Sequence, residues 1–252
     1  MYSYCSSVVS AASNFNRYKV SPKPQIGLRP IKNTSSRAKT LLEVISDLEG
    51  STNERYDRSK TIFYPGDSSK KLYLIKKGAV RLSRIYETGE EITVAFLKEN
   101  SLFGISSILA EKDLGNFYHA IAFTRVEMTT APASAVRDAI EADTSVGMLL
   151  LQGLSSRIFQ SATMIETLKN KDTYSRLISF LLVLSKDFGI PSKNGITIDL
   201  KISQEEIAEA ICSTRVTITR MFGELKNSGL IAKNKNNKIT VIDPTALEKR
   251  LN

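Results

Sequence analysis

Two arginines among short hydroxyl side chains lie in Ser213-Thr214-Arg215-Val216-Thr217-Ile218-Thr219-Arg220. An arginine carries a two-pronged donor that matches the acceptor edge of guanine, and hydroxyl groups reach phosphates. Ser203 before Gln204-Glu205-Glu206 is typical of a helix start, and Ser213 or Thr214 can cap a second helix. The spacing predicts a helix-turn-helix whose second helix enters the major groove of double-stranded DNA. The alternative is a solvated face on an ordinary helical pair.

The predicted contacts divide into two sets. Those with DNA are Gln204, Ser213, Thr214, Arg215, Val216, Thr217, Thr219 and Arg220. The buried side of the second helix is predicted to hold Val216, Ile218, Met221, Phe222 and Leu225. Lys233, Lys235 and Lys238 flank a predicted wing, where a phosphate contact and ordinary solvation are equally good interpretations.

Residues suited to catalysis or metal binding are few. The single histidine, His119, lies in a predicted strand, where a lone histidine is usually structural. Glu90-Glu91 is interpreted as a solvated corner, because neighbouring strand residues point to opposite faces. Cys5 and Cys212 lie too far apart for a metal site of their own, which fits a reducing cytoplasm. We therefore expect no catalytic residue, no metal, no cofactor and no enzyme activity.

The net charge of +9 suits an acidic partner, but seven basic residues precede the first acidic residue, Glu43. Residues 1–37 are rich in Ser, Asn, Pro and basic residues and are predicted to form a disordered arm. A transit peptide is the alternative, which would place the protein in the plastid stroma rather than the cytoplasm. No apolar run is long enough to span a membrane, so a membrane partner is not expected.

The rest of the chain predicts an α+β protein in three parts. Residues 38–143 combine a short helix, Ala38 to Leu48, with short alternating strands between Thr61 and Pro132. This pattern indicates a β-roll, a cupin-like jelly roll that could hold an effector. Residues 144–171 predict a long helix. Residues 172–252 predict a winged helix-turn-helix, with one strand over Ile196 to Leu200 before it.

The long helix carries a heptad seam that predicts a parallel homodimer. Its residues are Leu151, Leu154, Ile158, Ser161, Ile165 and Leu168. With Leu151 at position a, Arg157 falls at g and Ala162 at e, positions that meet across a parallel pair. Arg157 is therefore expected at the subunit boundary, beside the β-roll. The alternative is a helix packed on its own domain.

Several stretches resemble the CRP/FNR transcription regulators, and within them the cyanobacterial global nitrogen regulators. They are Lys60 through Asp67, Gly78 through Leu97, Glu99 through Gly104, Phe117 through Ala120, Gly153 through Arg157, Met164 through Leu168 and Ser213 through Arg220. The resemblance covers residue 38 onward. It implies an N-terminal effector domain, a dimerisation helix and a C-terminal winged helix-turn-helix.

The resemblance also implies 2-oxoglutarate as the effector, held by the turn Phe103-Gly104-Ile105-Ser106 and by Arg157. Cyclic-nucleotide members place Glu soon after the Gly, so Ile105-Ser106 does not favour cyclic AMP. Asn116, just before Phe117, replaces an Arg, and Ala162 replaces a Glu. Two charged groups are thus missing, and we expect weaker 2-oxoglutarate binding. Cys212 stands where the family turn has Gly, a substitution that costs about 1–2 kcal/mol if its φ is positive.

These observations favour a DNA-binding regulator, an activator and in some settings a repressor, of nitrogen-assimilation genes. It would bind a GTA…TAC palindrome as a dimer and recruit RNA polymerase, and the family adds the coactivator PipX. One alternative is a diverged paralogue with another effector or none. The other is a small-molecule sensor without DNA activity, which the intact Arg215 and Arg220 argue against.

Overall fold

The computed structural model describes residues 40–68, 70–109, 113 and 115–251, so the predicted arm lies outside the described residues. Eight short strands form the N-terminal β-roll. They are β1 (Thr52–Tyr56), β2 (Thr61–Phe63), β3 (Lys71–Lys77), β4 (Val80–Ile85), β5 (Glu91–Leu97), β6 (Leu102–Phe103), β7 (His119–Ala122) and β8 (Val126–Pro132). Two antiparallel four-stranded sheets result, in the orders β1-β8-β3-β6 and β2-β7-β4-β5. The predicted β-roll is confirmed.

The β-roll has an apolar core that comes from the alternation of its strands. Phe63, Ile75, Leu82, Leu97 and Met128 are buried together between the two sheets. Strand β1 was not predicted, because its sequence Thr-Asn-Glu-Arg-Tyr is polar and its side chains are mostly exposed. It pairs along its whole length with β8, so backbone hydrogen bonds rather than burial hold it in the sheet.

In the described part of the chain, four helices pack around the β-roll. They are α1 (Leu41–Asp47), α2 (Ser106–Leu109), α3 (Ala133–Ala142) and the long helix α4 (Thr144–Lys169). A capping box between Thr40 and Glu43 begins α1 later than the predicted Ala38. A second core, which includes Ile45, Leu72 and Leu150, holds α1 and α4 against the sheet.

The C-terminal part is a winged helix-turn-helix. Its helices are α5 (Thr173–Phe188), α6 (Gln204–Ala210), α7 (Arg215–Asn227) and α8 (Pro244–Glu248), followed by a 3₁₀ turn over Lys249–Leu251. Strands β9 (Gly189–Ser192), β10 (Gly195–Ile198), β11 (Ile231–Lys233) and β12 (Ile239–Val241) form one sheet in the order β11-β12-β10-β9. A hairpin therefore replaces the single strand predicted before α6. Among the described residues, no helix is both long and apolar enough to cross a membrane.

Candidate nucleic-acid interface and ligand pocket

Two side-chain caps set the ends of the helix-turn-helix. The Ser203 hydroxyl accepts a hydrogen bond from the Glu206 backbone N–H at 3.1 Å, and Glu206 accepts one from the Ser203 N–H at 2.7 Å. Thr214, rather than Ser213, caps α7 by accepting from the Thr217 N–H at 3.3 Å. These caps satisfy backbone donors that the first turn of a helix leaves unpaired.

The turn between α6 and α7 bends through a residue with positive φ. Cys212 has φ 53°, so the condition for a strain cost at this position is met, and the Ser213 N–H donates to the Ala208 carbonyl at 2.8 Å. Arg176 of α5 donates to the carbonyls of Ile211 at 3.0 Å and Cys212 at 3.4 Å. One guanidinium thereby fixes the turn that positions α7.

The exposed face of α7 carries the predicted base-reading residues. The side chains of Arg215 and Arg220 are 71% and 65% exposed, and Val216 is 80% exposed. The prediction that Val216 is buried is wrong. Val216 lies three residues before Thr219 and four before Arg220, so it shares their outward face. The other residues of the predicted buried side are buried as predicted: Ile218, Met221, Phe222 and Leu225.

Neighbouring side chains support this face. The Thr219 hydroxyl donates to the Gln204 side-chain oxygen at 2.8 Å, which joins the two helices of the motif. Glu205 lies 4.0 Å from Arg215, and Glu224 lies 2.8 Å from Arg220. Both carboxylates are exposed, so the two arginines stay close to water and can exchange these weak partners for DNA.

The wing is the turn between β11 and β12. The Asn234 side chain accepts hydrogen bonds from the backbone N–H groups of Asn236 and Lys238, both at 3.0 Å. Lys233 and Lys235 are exposed, whereas the Lys238 amine pairs with Asp199. Two of the three wing lysines can therefore reach a phosphate without breaking an ion pair.

A cavity of about 220 Å³ lies between the β-roll and α4. Its lining is largely apolar, and it includes most residues predicted to bind an effector. The lining residues are Phe63, Leu82, Leu102, Phe103, Gly104, Ile105, Ser106, Asn116, Phe117, Tyr118, Gly153, Leu154 and Arg157. Ala162, the remaining predicted effector residue, does not line the cavity of this single chain. Their roles in binding stay predictions.

Arg157 is the one cationic residue among the described residues that line this cavity. Gly153, one turn earlier, lets α4 approach β6 closely, since an added Cβ would lie 2.7 Å from a Leu102 methyl group. Arg157 Nη1 is buried and has no hydrogen-bond partner among the described residues. Burial lowers the pKa of this guanidinium, and Tyr118 opposes the shift. An arginine stays charged nonetheless, so the buried Nη1 is an unpaired donor of a charged group.

The turn that follows β6 forms the opposite side. Gly104 has φ 79°, and an added Cβ would lie 2.5 Å from the Lys71 carbonyl oxygen. Phe103 stacks on Tyr73 of β3 with ring centroids 4.8 Å apart, and this contact fixes the start of the turn. Only glycine fits this position, so the turn is held tightly against β3.

Asn116 makes its hydrogen bonds within the protein. Its side chain is buried, and its amide donates to the carbonyls of Asp67 and Ser68, both at 3.3 Å. Its backbone N–H and carbonyl also pair with this loop, at Asp67 and Gly66. Asn116 therefore joins two loops at the cavity edge, and its amide is not a substitute for a second cation.

The predicted dimer seam is exposed at only half of its positions. Leu151, Ile158 and Ile165, the a positions, are exposed. Leu154 lines the cavity, Ser161 is half-buried and Leu168 packs against the winged-helix core. The d half of the predicted seam therefore faces the chain's own body. Met148 and Phe159 join the exposed a positions in one apolar stripe instead.

His119 and Glu91 belong to one network beneath the cavity edge. The Nδ1 of His119 lies 3.2 Å from Glu91, and its ring stacks on Tyr64 at 4.8 Å. Burial alone would raise the pKa of Glu91, but the Ser83 hydrogen bond and the Arg81 charge outweigh it, so this pKa lies below its usual value. Glu91 is thus not the solvated corner that was predicted, because it begins β5 and faces Arg81.

Comparison with known proteins places this geometry in a family. A model described as a Crp-like helix-turn-helix domain matches residues 175–250, and one described as a cyclic nucleotide-binding domain matches residues 53–143. The chain is 53% identical over 205 residues to the global nitrogen regulator of Synechocystis sp., covering 81% of this chain and 91% of the relative. It is 54% identical to that of Synechococcus elongatus, covering 78% and 88%. The chain belongs to the global nitrogen regulator family.

Solved structures agree on the fold of this global nitrogen regulator family member. A CRP/FNR-family transcriptional regulator from Thermus thermophilus superposes with a TM-score of 0.64 at 25% identity, covering 79% of this chain and 98% of that chain. FixK2 from Bradyrhizobium japonicum superposes with a TM-score of 0.68 at 18% identity, covering 79% and 96%. The chain is a transcription regulator with a DNA-binding helix-turn-helix. It belongs to a family whose task is binding rather than catalysis.

Proposed function

We propose that this chain controls nitrogen-assimilation genes by binding a GTA…TAC palindrome as a homodimer, as an activator and in some settings a repressor. The observation that carries the proposal is the recognition face of α7, where Arg215, Val216 and Arg220 are exposed. An arginine can pair with the guanine and an adjacent apolar side chain with the thymine methyl group. The identity to two global nitrogen regulators supports nitrogen genes as the targets.

The exposed stripe on α4 supports the homodimer. A helix that exposes Leu151, Ile158 and Ile165 at heptad spacing is stabilised when a second copy covers them. A two-fold dimer also presents two recognition helices to two half-sites of one palindrome. RNA polymerase and the coactivator PipX are the protein partners that we propose for the DNA-bound dimer, in the cytoplasm or, with a cleaved arm, the plastid stroma.

We propose the cavity beside Arg157 as the effector site, with 2-oxoglutarate bound weakly. One carboxylate would neutralise the unpaired guanidinium, and the turn around Gly104 would hold the other end. The second carboxylate meets an amide, Asn116, that already serves two loop carbonyls. A charged group that loses a charged partner binds about tenfold more weakly or worse.

The apolar lining supports one competing effector class. Phe63, Leu82 and Phe117 would favour a 2-oxo acid with one carboxylate and an apolar tail over a dicarboxylate. A chain with such an effector would be the diverged paralogue named above, with its effector class specified. Its DNA-binding function would be unchanged.

Calorimetric titration separates these possibilities. We would titrate 2-oxoglutarate and the monocarboxylate 2-oxobutyrate into the protein, with and without palindromic DNA, and repeat both with Arg157→Met. We expect 2-oxoglutarate to bind wild-type protein more tightly when DNA is present, and the Arg157→Met variant to lose this binding. Tighter binding of 2-oxobutyrate than of 2-oxoglutarate would favour the monocarboxylate class. Binding that Arg157→Met leaves intact would place the effector elsewhere.

A further inference from the structure

The β-roll rests directly on the winged helix in this structure. Phe96 of β5 lies 5.8 Å from Phe180 of α5 and 5.0 Å from Phe123, by ring centroids. Both β-roll phenylalanines are buried in one cluster with the core of the winged helix. The two parts therefore share apolar surface.

Three ion pairs surround the shared apolar surface. Arg58 lies 2.9 Å from Glu206, Arg81 lies 2.9 Å from Glu209, and Lys98 lies 3.2 Å from Asp187. Arg58 also donates to the Lys201 carbonyl at 2.8 Å and lies over the Phe123 ring at 5.3 Å. We call these three pairs the docking contact.

The docking contact has one polarity. Every cation comes from the β-roll, and every carboxylate comes from α5 or α6. A winged helix with an acidic back and a basic recognition face is oriented by the β-roll on one side and by DNA on the other. Two pairs involve the first helix of the motif, so the contact acts one element away from the bases.

Docking leaves the recognition face open. The polar side-chain contacts of Arg215, Thr219 and Arg220 in the described chain lie within the helix-turn-helix, at Glu205, Gln204 and Glu224. The β-roll therefore does not cover this face in the structure.

Arg81 also reaches toward the cavity. Its Nη2 lies 3.5 Å from Glu91, and Glu91 lies 3.2 Å from His119. His119 directly follows Tyr118, which lines the cavity. A displacement of the Tyr118–His119 segment by a bound effector would reach Arg81 through two contacts of charged or polar groups.

We propose that Arg58, Arg81 and Lys98 are positioning residues that set the direction of the recognition helix relative to α4. In a dimer, this direction fixes the distance between the two recognition helices and so the half-site spacing that the protein accepts. The inference rests on the proposed binding of a palindrome by a dimer. Partly exposed ion pairs add little to folding stability, so their loss changes orientation more than unfolding.

Substitutions on the acidic side test the proposal without disturbing the β-roll. Glu209→Lys places a cation opposite Arg81, and Glu209→Gln removes the charge alone. Glu248→Lys is the matched control, because it makes the same charge change at an exposed site with no ion pair to the β-roll among the described residues. Lys98→Glu combined with Asp187→Lys reverses one pair and restores the attraction.

The first measurement needs no DNA. Hydrogen–deuterium exchange of residues 200–211 should be faster in Glu209→Lys than in wild type or Glu248→Lys, with an unchanged unfolding temperature. Lys98→Glu alone should act in the same direction, and the reversed pair should restore slow exchange. Exchange that matches wild type in both single variants would overturn the proposal, whether or not the protein binds a palindrome.

The second measurement is the affinity for palindromes of natural spacing and of spacing changed by one or two base pairs. Glu209→Lys should lose about threefold to tenfold of the preference for natural spacing, while its affinity for a single half-site matches Glu248→Lys. If wild type shows no preference for any palindrome, the proposed function fails instead. If Glu209→Lys keeps the same preference for natural spacing as wild type, the positioning role is refuted.

Discussion

Arg215 and Val216 stand side by side at the start of the recognition helix, both open to solvent. Within the part of the chain that the structure describes, the Arg215 side chain pairs with an exposed carboxylate, Glu205, at 4.0 Å. Arg215→Ala should therefore cost about 1–3 kcal/mol at the guanine of the half-site and relax specificity there. Fluorescence anisotropy with GTA and single-base variants measures this loss.

The wing supplies the control for that experiment. Lys235→Ala should weaken binding to all DNA sequences about equally. It should also reduce the salt dependence of binding by about one counterion, as expected of a phosphate contact. If Arg215→Ala behaved in the same way, Arg215 would be a phosphate contact and the base-reading role would be wrong.

Cys212 stores strain in the turn of the motif. At φ 53°, a residue with a Cβ costs about 1–2 kcal/mol, whereas glycine occupies this region freely. Cys212→Gly should stabilise the protein by about 0.5–1 kcal/mol after the entropy of glycine in the unfolded chain is subtracted. Denaturant unfolding measures the gain.

Gly229 offers the matched control, since its φ is 68° and an added Cβ would contact nothing within 4 Å. Gly229→Ala should lose about 1 kcal/mol from the same backbone cause. A Cys212→Gly variant that is less stable than wild type would show that the contacts of the thiol outweigh the backbone strain.

At the scale of single residues, the sequence predicts features that have a local cause and misses those that depend on distant contacts. The caps at Ser203 and Thr214 could be predicted, because short hydroxyl residues before an apolar helix have a local cause. The burial of Val216 was predicted wrongly, because residue type and spacing do not show which face of a short helix another element covers. The partners of Asn116 come from a loop nearly fifty residues away, and no local pattern indicates them.

At the scale of elements, the long helix shows how far a heptad pattern reaches. Periodicity predicted its length within a few residues and the exposure of its a positions. It could not separate d positions that face a second copy from those that face the cavity or the winged helix, since all are apolar. Leu154 and Leu168 fall in the latter group.

The exposed stripe gives a sharper test of the dimer than the whole seam does. Ile158 and Ile165 are 66% and 68% exposed, so Asp at both positions should leave the chain folded and place like charges across the pair. Sedimentation velocity should show a monomer, and cooperative binding to the palindrome should be lost. Ser156→Asp, on another exposed face of α4, should remain a dimer. A double variant that stays dimeric would place the interface elsewhere.

At the scale of the whole molecule, the cavity joins elements that the sequence keeps far apart. The turn after β6, the edge before β7 and one turn of α4 meet there. The resemblance predicted most of these residues, but not the docking contact. Arg58, Arg81 and their partners are ordinary charged residues in sequence, and only the folded chain shows that each β-roll cation faces a carboxylate of the winged helix.

Ala162 is the position at which the proposed second subunit would approach Arg157. In a parallel pair, position g meets the following e position of the partner, so Arg157 and the partner's residue at this position would face each other. Ala162→Glu should place a carboxylate opposite the buried guanidinium and its ligand. Because Asn116 is buried and holds two loop carbonyls, this change is cleaner than Asn116→Arg, with which it can later be combined.

A ligand shifts an equilibrium between two arrangements only by its different affinity for them. A ligand that joins Arg157 of one subunit to a carboxylate of the other binds best at one helix angle, and so at one spacing of the recognition helices. Ala162→Glu should therefore increase the stimulation of DNA binding by 2-oxoglutarate, by about tenfold if one charged interaction worth about 1.5 kcal/mol is gained. DNA affinity against 2-oxoglutarate concentration measures this effect, with Ser156→Glu as the control for added charge. A strong response in the unmodified protein that Ala162→Glu leaves unchanged would show that Arg157 and the turn at Gly104 suffice, and that no link between subunits is needed.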